Sequence, residues 1–171
     1  MMLKLIKDFF ENVKKEIGGN FNIVSVDDNY SDFLKAFDFV MKFEGGYVNH
    51  PKDPGGETKY GISKRAYPGV DIKNLTIDDA RKIYHSDYWI PCGGEEMSWP
   101  VNLVQFDCAV NCGLKTAKNL YKEIGPNALG LIARREAYYN RLVSSKPNLK
   151  VFIKGWMNRT SALRKIVESL P

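Results

Sequence analysis

A chain of 171 residues, 44% apolar and 26% charged, is long enough to bury a sizeable core as one domain and is neither fibrous nor low in complexity. Its 25 lysines and arginines exceed its 20 acidic residues by five, which suits anionic partners, but no basic block is dense enough to require nucleic acid. Three cysteines and two histidines without a C-x-x-C argue against a disulfide framework and a zinc site, and no run nears the roughly 18 apolar residues of a membrane span. Cys108 and Cys112 share a helical face on which a disulfide would be strained, so free thiols in a reducing compartment are expected, with Cys92 in a loop before Gly93-Gly94.

The first predicted element is an amphipathic helix over residues 3–17. Leu3, Ile6, Phe10, Val13 and Ile17 recur at three- and four-residue steps, charged residues take the other faces, and Gly18-Gly19 ends it. Such a stripe can lie on the domain core, a membrane surface or a partner. Acidic residues in its polar face favour the core. The same charges interrupt the opening apolar run too often for a signal peptide. Residues 20–30 read as a polar linker, with a short strand from Phe21 to Val26.

A second helix is predicted over about 32–44, from the spacing of Phe33, Phe37, Val40 and Met41, capped by Ser31 or Asp32 and stopped by Gly45-Gly46. Glu44 then sits at or near a helix C-terminus, whose unpaired carbonyls carry roughly half a negative charge. Phe43 and Tyr47 beside it can desolvate the carboxyl. Both effects favour the protonated form, which a general acid needs. Residues 46–63 follow as a small two- or three-stranded excursion turning at Asp53-Pro54-Gly55-Gly56. Folded back, Asp53 and Thr58 can both face Glu44. One protonated and one ionised carboxyl flanking a bond is the equipment of glycoside hydrolysis. Asp53 can instead be a turn residue before proline, and Glu57 is a rival carboxylate.

Thr76-Ile77-Asp78-Asp79 resembles a capped helix start, and that helix is expected to run to about Tyr88 and close at Trp89-Ile90-Pro91. Tyr84, Tyr88 and Trp89 either line a sugar groove or pack in the core. His85 reads as a surface or core histidine. The next helix follows Pro100 and ends at Gly113. Its apolar residues lie all round, so it is read as the buried central helix. Asp107 and Asn111 are four apart on one of its faces and need partners, either at a cleft or in a structural network. Further helices are expected at about 115–124, 128–143, 149–157 and 159–169. The predicted fold is mainly α, in the α+β sense, with a β-hairpin excursion and a helical lobe around a cleft.

Glu44-Gly45-Gly46-Tyr47, followed by Asp53-Pro54-Gly55-Gly56-x-Thr58-x-Tyr60-Gly61-Ile62-Ser63, resembles glycoside hydrolase family 108, the N-acetylmuramidases of phage endolysins and bacterial wall-processing proteins. The resemblance continues through Tyr84-x-x-x-Tyr88-Trp89, Phe106-Asp107-x-Ala109-Val110-Asn111-x-Gly113 and Phe152-x-x-Gly155-Trp156-x-Asn158-Arg159. It implies a lysozyme-like fold and cleavage of the bond from N-acetylmuramic acid to N-acetylglucosamine. Glu44 matches the family's catalytic glutamate. The spacing of Glu44, Asp53 and Thr58 is also similar to the catalytic triad of phage-type lysozymes. Tyr47, Tyr60, Tyr88, Trp89, Asp107 and Asn111 are the candidate substrate-binding residues. The implied organisation is a helix and linker over 1–30, a catalytic lobe over about 31–95 and a helical, peptidoglycan-binding lobe over about 96–171. The expected protein is a monomer that needs no metal or cofactor, binds peptidoglycan rather than nucleic acid, does not insert in membranes, and waits in the cytoplasm until released to the wall. A non-catalytic wall-binding module and a lytic transglycosylase are the competing readings.

Overall fold

The first described helix, α1 (Ser25–Met41), begins seven residues before the predicted start, inside the expected linker. Tertiary contact supplies what the polar sequence lacks. The Tyr30 ring packs 5.8 Å from both Phe33 and His85, and Asn29 donates to the Glu95 carbonyl. This computed structural model describes residues 25–49 and 56–170. The helix expected over 3–17 lies outside them, as does most of the strand expected over Phe21–Val26; Ser25 and Val26 themselves are helical. Outside them too lie His50, Asp53 and the turn expected there.

The helix α1 ends tightly. Lys42 N–H donates to Phe39 O at 3.2 Å and Phe43 N–H to Val40 O at 2.9 Å, so Glu44 stands beyond the helix, on the way out. The chain then forms the small excursion. Val48 bridges Thr58, and β1 (Thr58–Lys59) pairs antiparallel with β2 (Ile62–Ser63) in the register Thr58–Ser63 and Lys59–Ile62. The turn is Tyr60-Gly61, with φ of +52° and +74°. Positive φ at both central residues suits the right-handed twist of a two-residue hairpin.

After a stretch of turns, Thr76 caps α2 with a full capping box. Its side chain accepts from Asp79 N–H, and the Asp79 carboxylate accepts from the Thr76 backbone. α2 (Ile77–Tyr84) does not stop near Tyr88. It passes through a π-helical turn (His85–Trp89) into a last turn (Ile90–Cys92), and Gly93 closes it in the left-handed conformation. Pro91 does not stop it. Proline has no N–H and its ring crowds the preceding turn, and a widened π turn there accommodates both.

α3 (Val101–Cys112) is the buried central helix, enclosed from Asn102 through Ala109. α4 (Leu114–Ile124) turns off it at Gly113, whose φ of +85° a side chain would resist. α5 (Ala128–Ser145) follows, then a 3₁₀ segment (Pro147–Phe152) and α6 (Ile153–Glu168). The two short helices expected over 149–157 and 159–169 are thus one 3₁₀ turn and one long helix. Gly155 lies inside that helix rather than breaking it. The architecture is mainly α: six α-helices and a two-stranded sheet among the described residues, in a lysozyme-like arrangement.

The core joins Phe33, Phe37 and Val40 of α1 to Tyr84 and Trp89 of α2, Leu103 and Phe106 of α3, Leu131 and Ile132 of α5, and Leu163 of α6. Aromatic pairs dominate its centre. Phe33 lies 5.5 Å from Trp89 and 5.9 Å from Phe106, and Trp89 lies 5.5 Å from Phe106, in tilted and edge-on geometries. This packing places the end of α1, the hairpin turn and α6 around one point. No helix among the described residues is long and apolar enough to cross a membrane.

Candidate active site

That point is the Glu44 carboxyl. Its side chain is 20% exposed, and Arg159 Nη1 of α6 donates to its Oε1 at 3.3 Å. The guanidinium also lies 5.0 Å from the centre of the Phe43 ring. Phe43 and Tyr47, expected to desolvate the carboxyl, are themselves 39% and 41% exposed. The group that meets the carboxyl is instead a cation from 115 residues along the chain.

The hairpin turn closes the other side. Gly61 lies so near that a Cβ there would stand 2.6 Å from Glu44 Oε2 and 2.5 Å from Tyr84 Oη. Two hydrogen bonds hold the turn in place: Tyr60 N–H donates to Gly45 O at 3.1 Å, and Tyr84 Oη donates to Tyr60 O at 2.9 Å. Burial first, and then the nearby Glu44 charge, push the Tyr84 hydroxyl far above the ordinary tyrosine range. It therefore stays a neutral donor.

Behind Arg159 runs a buried chain of alternating charge. Arg159 Nε donates to Asp107 Oδ1 at 2.8 Å, and Arg135 Nη1 donates to Asp107 Oδ2 at 2.6 Å. Arg135 Nε donates to Tyr139 Oη at 2.6 Å, and Tyr139 in turn donates to Asn111 Oδ1 at 2.6 Å. Asp107 and Arg135 are wholly buried. Burial works against the Arg135 charge, but the Asp107 carboxylate overrides it and the guanidinium stays protonated. Asp107 pairs with both arginines inside the core, which is the condition for keeping such charges away from water, and Glu44 meets Arg159 at the partly exposed end of the chain.

The candidate substrate-binding residues separate accordingly. Tyr47 is exposed, and Tyr60, Tyr88 and Asn111 are half-buried; Tyr60 belongs to the turn beside Glu44, the Tyr88 ring lies 5.4 Å from that of Tyr84, and Asn111 sits at the far end of the chain that starts at Arg159. Trp89 is not a groove residue. It is fully buried, and Gly94 packs against its indole. Nor does Asp107 line a surface, because both of its oxygens are taken by arginines. Asp107 positions Arg159. Thr58 pairs with Val48 through two 2.8 Å backbone bonds and is half-buried in β1. His85 is half-buried and packs edge-on against Phe33 at 4.6 Å, between the surface and core alternatives. All three cysteines are free thiols.

Sequence reasoning left Arg159 and Gly61 without roles, and Arg135 and Tyr139 open between helix packing and substrate. A signal for the arginines was present: Asp107 in an otherwise apolar helix required cations from elsewhere.

A family model described as glycosyl hydrolase 108 matches residues 37–113, from mid-α1 to the end of α3, and so contains Glu44 and Asp107. Among solved structures, the chain is similar to Brucella abortus SagA, with 30% identity and a TM-score of 0.65 over 80% of this chain and 93% of that one. The chain belongs to glycosyl hydrolase family 108. No curated protein matches it. A family 108 domain is a glycoside hydrolase, and membership supports peptidoglycan as its polymer. The family model ends before α5 and α6, yet in the folded chain these helices supply Arg159, which meets Glu44, and Arg135, which meets Asp107.

Proposed function

We propose that this family 108 domain hydrolyses the β-1,4 bond between N-acetylmuramic acid and N-acetylglucosamine, with Glu44 as general acid. The observation that carries the reading is the setting of the Glu44 carboxyl. One oxygen is held by Arg159, and the other faces Gly61, where the missing side chain lets the hairpin close on it. In this reading the carboxyl gives its proton to the leaving glycosidic oxygen as an oxocarbenium ion forms on the muramic ring. Arg159 then stabilises the carboxylate left behind. In this reading Asp53 steadies the ring charge or activates water, and Thr58 holds that water. Tyr47, Tyr60, Tyr88 and Asn111 contact the sugars. The chain acts as an endolysin-like lysozyme that is held in the cytoplasm until it reaches the wall.

The test is digestion of purified peptidoglycan by wild type and Glu44→Gln, with the soluble fragments reduced by borohydride and weighed by mass spectrometry. Reducible N-acetylmuramic acid ends are expected, with at least about a hundredfold loss in the variant, the scale of a missing general acid. Anhydro ends would make the protein a lytic transglycosylase. Equal fragments from the variant would remove Glu44 from the mechanism. Binding without fragments would leave a wall-binding module.

A further inference from the structure

From Ala137 to Val167 the chain holds seven lysines and arginines and no acidic residue. Two of these cations are taken: Arg159 by Glu44 and Asp107, and Arg164 by Glu136. Arg141, Lys146, Lys150 and Lys154 are exposed, and none of the four pairs with an acid among the described residues. Between Lys150 and Lys154 stand Val151, at 77% the most exposed large apolar side chain of the described residues, and Phe152 at 53%.

Both apolar residues end the 3₁₀ segment Pro147–Phe152, just before α6. Side chains three apart eclipse in such a turn, so Val151 shares a row with Asn148, which is also exposed. A β-branched aliphatic residue on that row gains no packing within the fold. The turn beneath it is braced. Phe152 stacks on Trp156 at 5.9 Å and 25°, and Trp156 stacks on buried Tyr139 at 4.9 Å and 23°. Two apolar tips on a braced turn, with unpaired cations on either side, suit the headgroup region of a bilayer. The tips reach the acyl boundary, and the lysine stems bend back toward the phosphates.

We infer that the crest of Val151 and Phe152, with Lys146, Lys150 and Lys154 around it, docks the protein peripherally on an anionic phospholipid bilayer. Charge selects the partner: an acid-free surface is drawn to the negative potential of anionic lipid, and each lysine near the headgroups adds to the attraction. Contact of this kind needs no spanning helix. A wall polymer is anionic as well, but an aliphatic tip offers a sugar ring no flat face, and no carboxylate stands beside it to take the sugar hydroxyls. Val151 and the lysines are also not among the matching residues of the family pattern from Phe152 to Arg159, whose Trp156 and Arg159 turn instead to Tyr139 and Glu44. The docking surface does not depend on what Glu44 does.

The experiment sediments the full-length protein with vesicles of phosphatidylcholine alone and of phosphatidylcholine mixed with phosphatidylglycerol. Binding is expected on the anionic vesicles, at least about tenfold weaker on the neutral ones, and weakened by added salt. Val151→Asp, and the pair Lys150→Glu with Lys154→Glu, are each expected to cost at least about tenfold in affinity. All three positions are exposed, so the variants keep the fold, which thermal unfolding checks. The pair Lys115→Glu with Lys122→Glu makes the same change of net charge at exposed positions of α4 and should keep binding within about twofold. No binding to anionic vesicles overturns the docking surface. An equal loss in the α4 pair also overturns it, because the attraction would then be one of net charge alone. So does vesicle binding that Val151→Asp leaves intact, or retention on purified peptidoglycan but not on vesicles through the same residues. Release of reducing ends from soluble peptidoglycan fragments needs no membrane and should be equal in wild type and Val151→Asp, so the hydrolytic reading stands or falls separately, at Glu44.

Discussion

At the scale of single residues, two glycines separate backbone strain from the chemistry. Gly61 and Gly113 have nearly the same φ, +74° and +85°, and a side chain strains either by about 1–3 kcal/mol. Their surroundings differ. A Cβ at Gly61 meets Glu44 Oε2 and Tyr84 Oη, whereas at Gly113 nothing lies within 4 Å. Gly61→Ala is therefore expected to lose both stability and wall-lysing activity, the latter by at least about tenfold, since small displacements of a reacting group are costly. Gly113→Ala should lower the melting temperature comparably and keep its turnover. Thermal unfolding and turbidity clearance of cell walls distinguish the two. Tyr60 beside Gly61 bears a positive φ that a non-glycine residue resists. It persists because Gly45 and Tyr84 hold the peptide from both sides.

At the scale of elements, α2 shows a local signal and its tertiary override on one helix. Thr76 and Asp79 form the capping box that their spacing predicts, and Thr76→Ala is expected to cost about 1 kcal/mol in urea unfolding. Hydrogen bonds from the Thr76 side chain, then its backbone, hold the Asp79 carboxyl below the ordinary aspartate range. A carboxyl depressed in the folded state stabilises above its unfolded pKa and loses that contribution as pH falls through the folded value. The cost of Thr76→Ala should accordingly be full at neutral pH and shrink below about pH 4. The other end of the helix was not legible. Pro91 reads as a stop, but the π turn accommodates the ring, and burial of Tyr84 and Trp89 against Phe33, Phe37 and Phe106 keeps the helix going. The N-terminal extension of α1 has the same cause. Its polar residues become helical because Tyr30 and Asn29 find partners on α2 and the following loop.

For the whole molecule, the buried chain from Glu44 to Tyr139 ties α1, α3, α5 and α6 together. Asp107 is its only anion inside the core, between two arginines. Asp107→Asn keeps the shape but leaves two buried cations facing each other. The expected cost is about 3–5 kcal/mol, visible as a lower urea midpoint at an unchanged slope. Activity should fall under conditions where the variant is still folded, because Arg159 then loses the group that aims it at Glu44. Retained turnover with lowered stability would make the chain purely structural.

By itself the sequence determined the helical class, the central α3, the capped start of α2, the excursion before Ile62 and the family of the Glu44 motif. Each rests on information within about a dozen neighbouring residues: apolar period, cap chemistry, glycine and proline placement. The sequence also showed that Asp107 needed partners without naming them. Only the tertiary structure decided that those partners are Arg135 and Arg159, that Trp89 belongs to the core, and that Glu44 faces a cation rather than a helix end. Charge pairing and burial act through space, across separations of 28, 52 and 115 residues, and no local pattern records which distant side chain will be there.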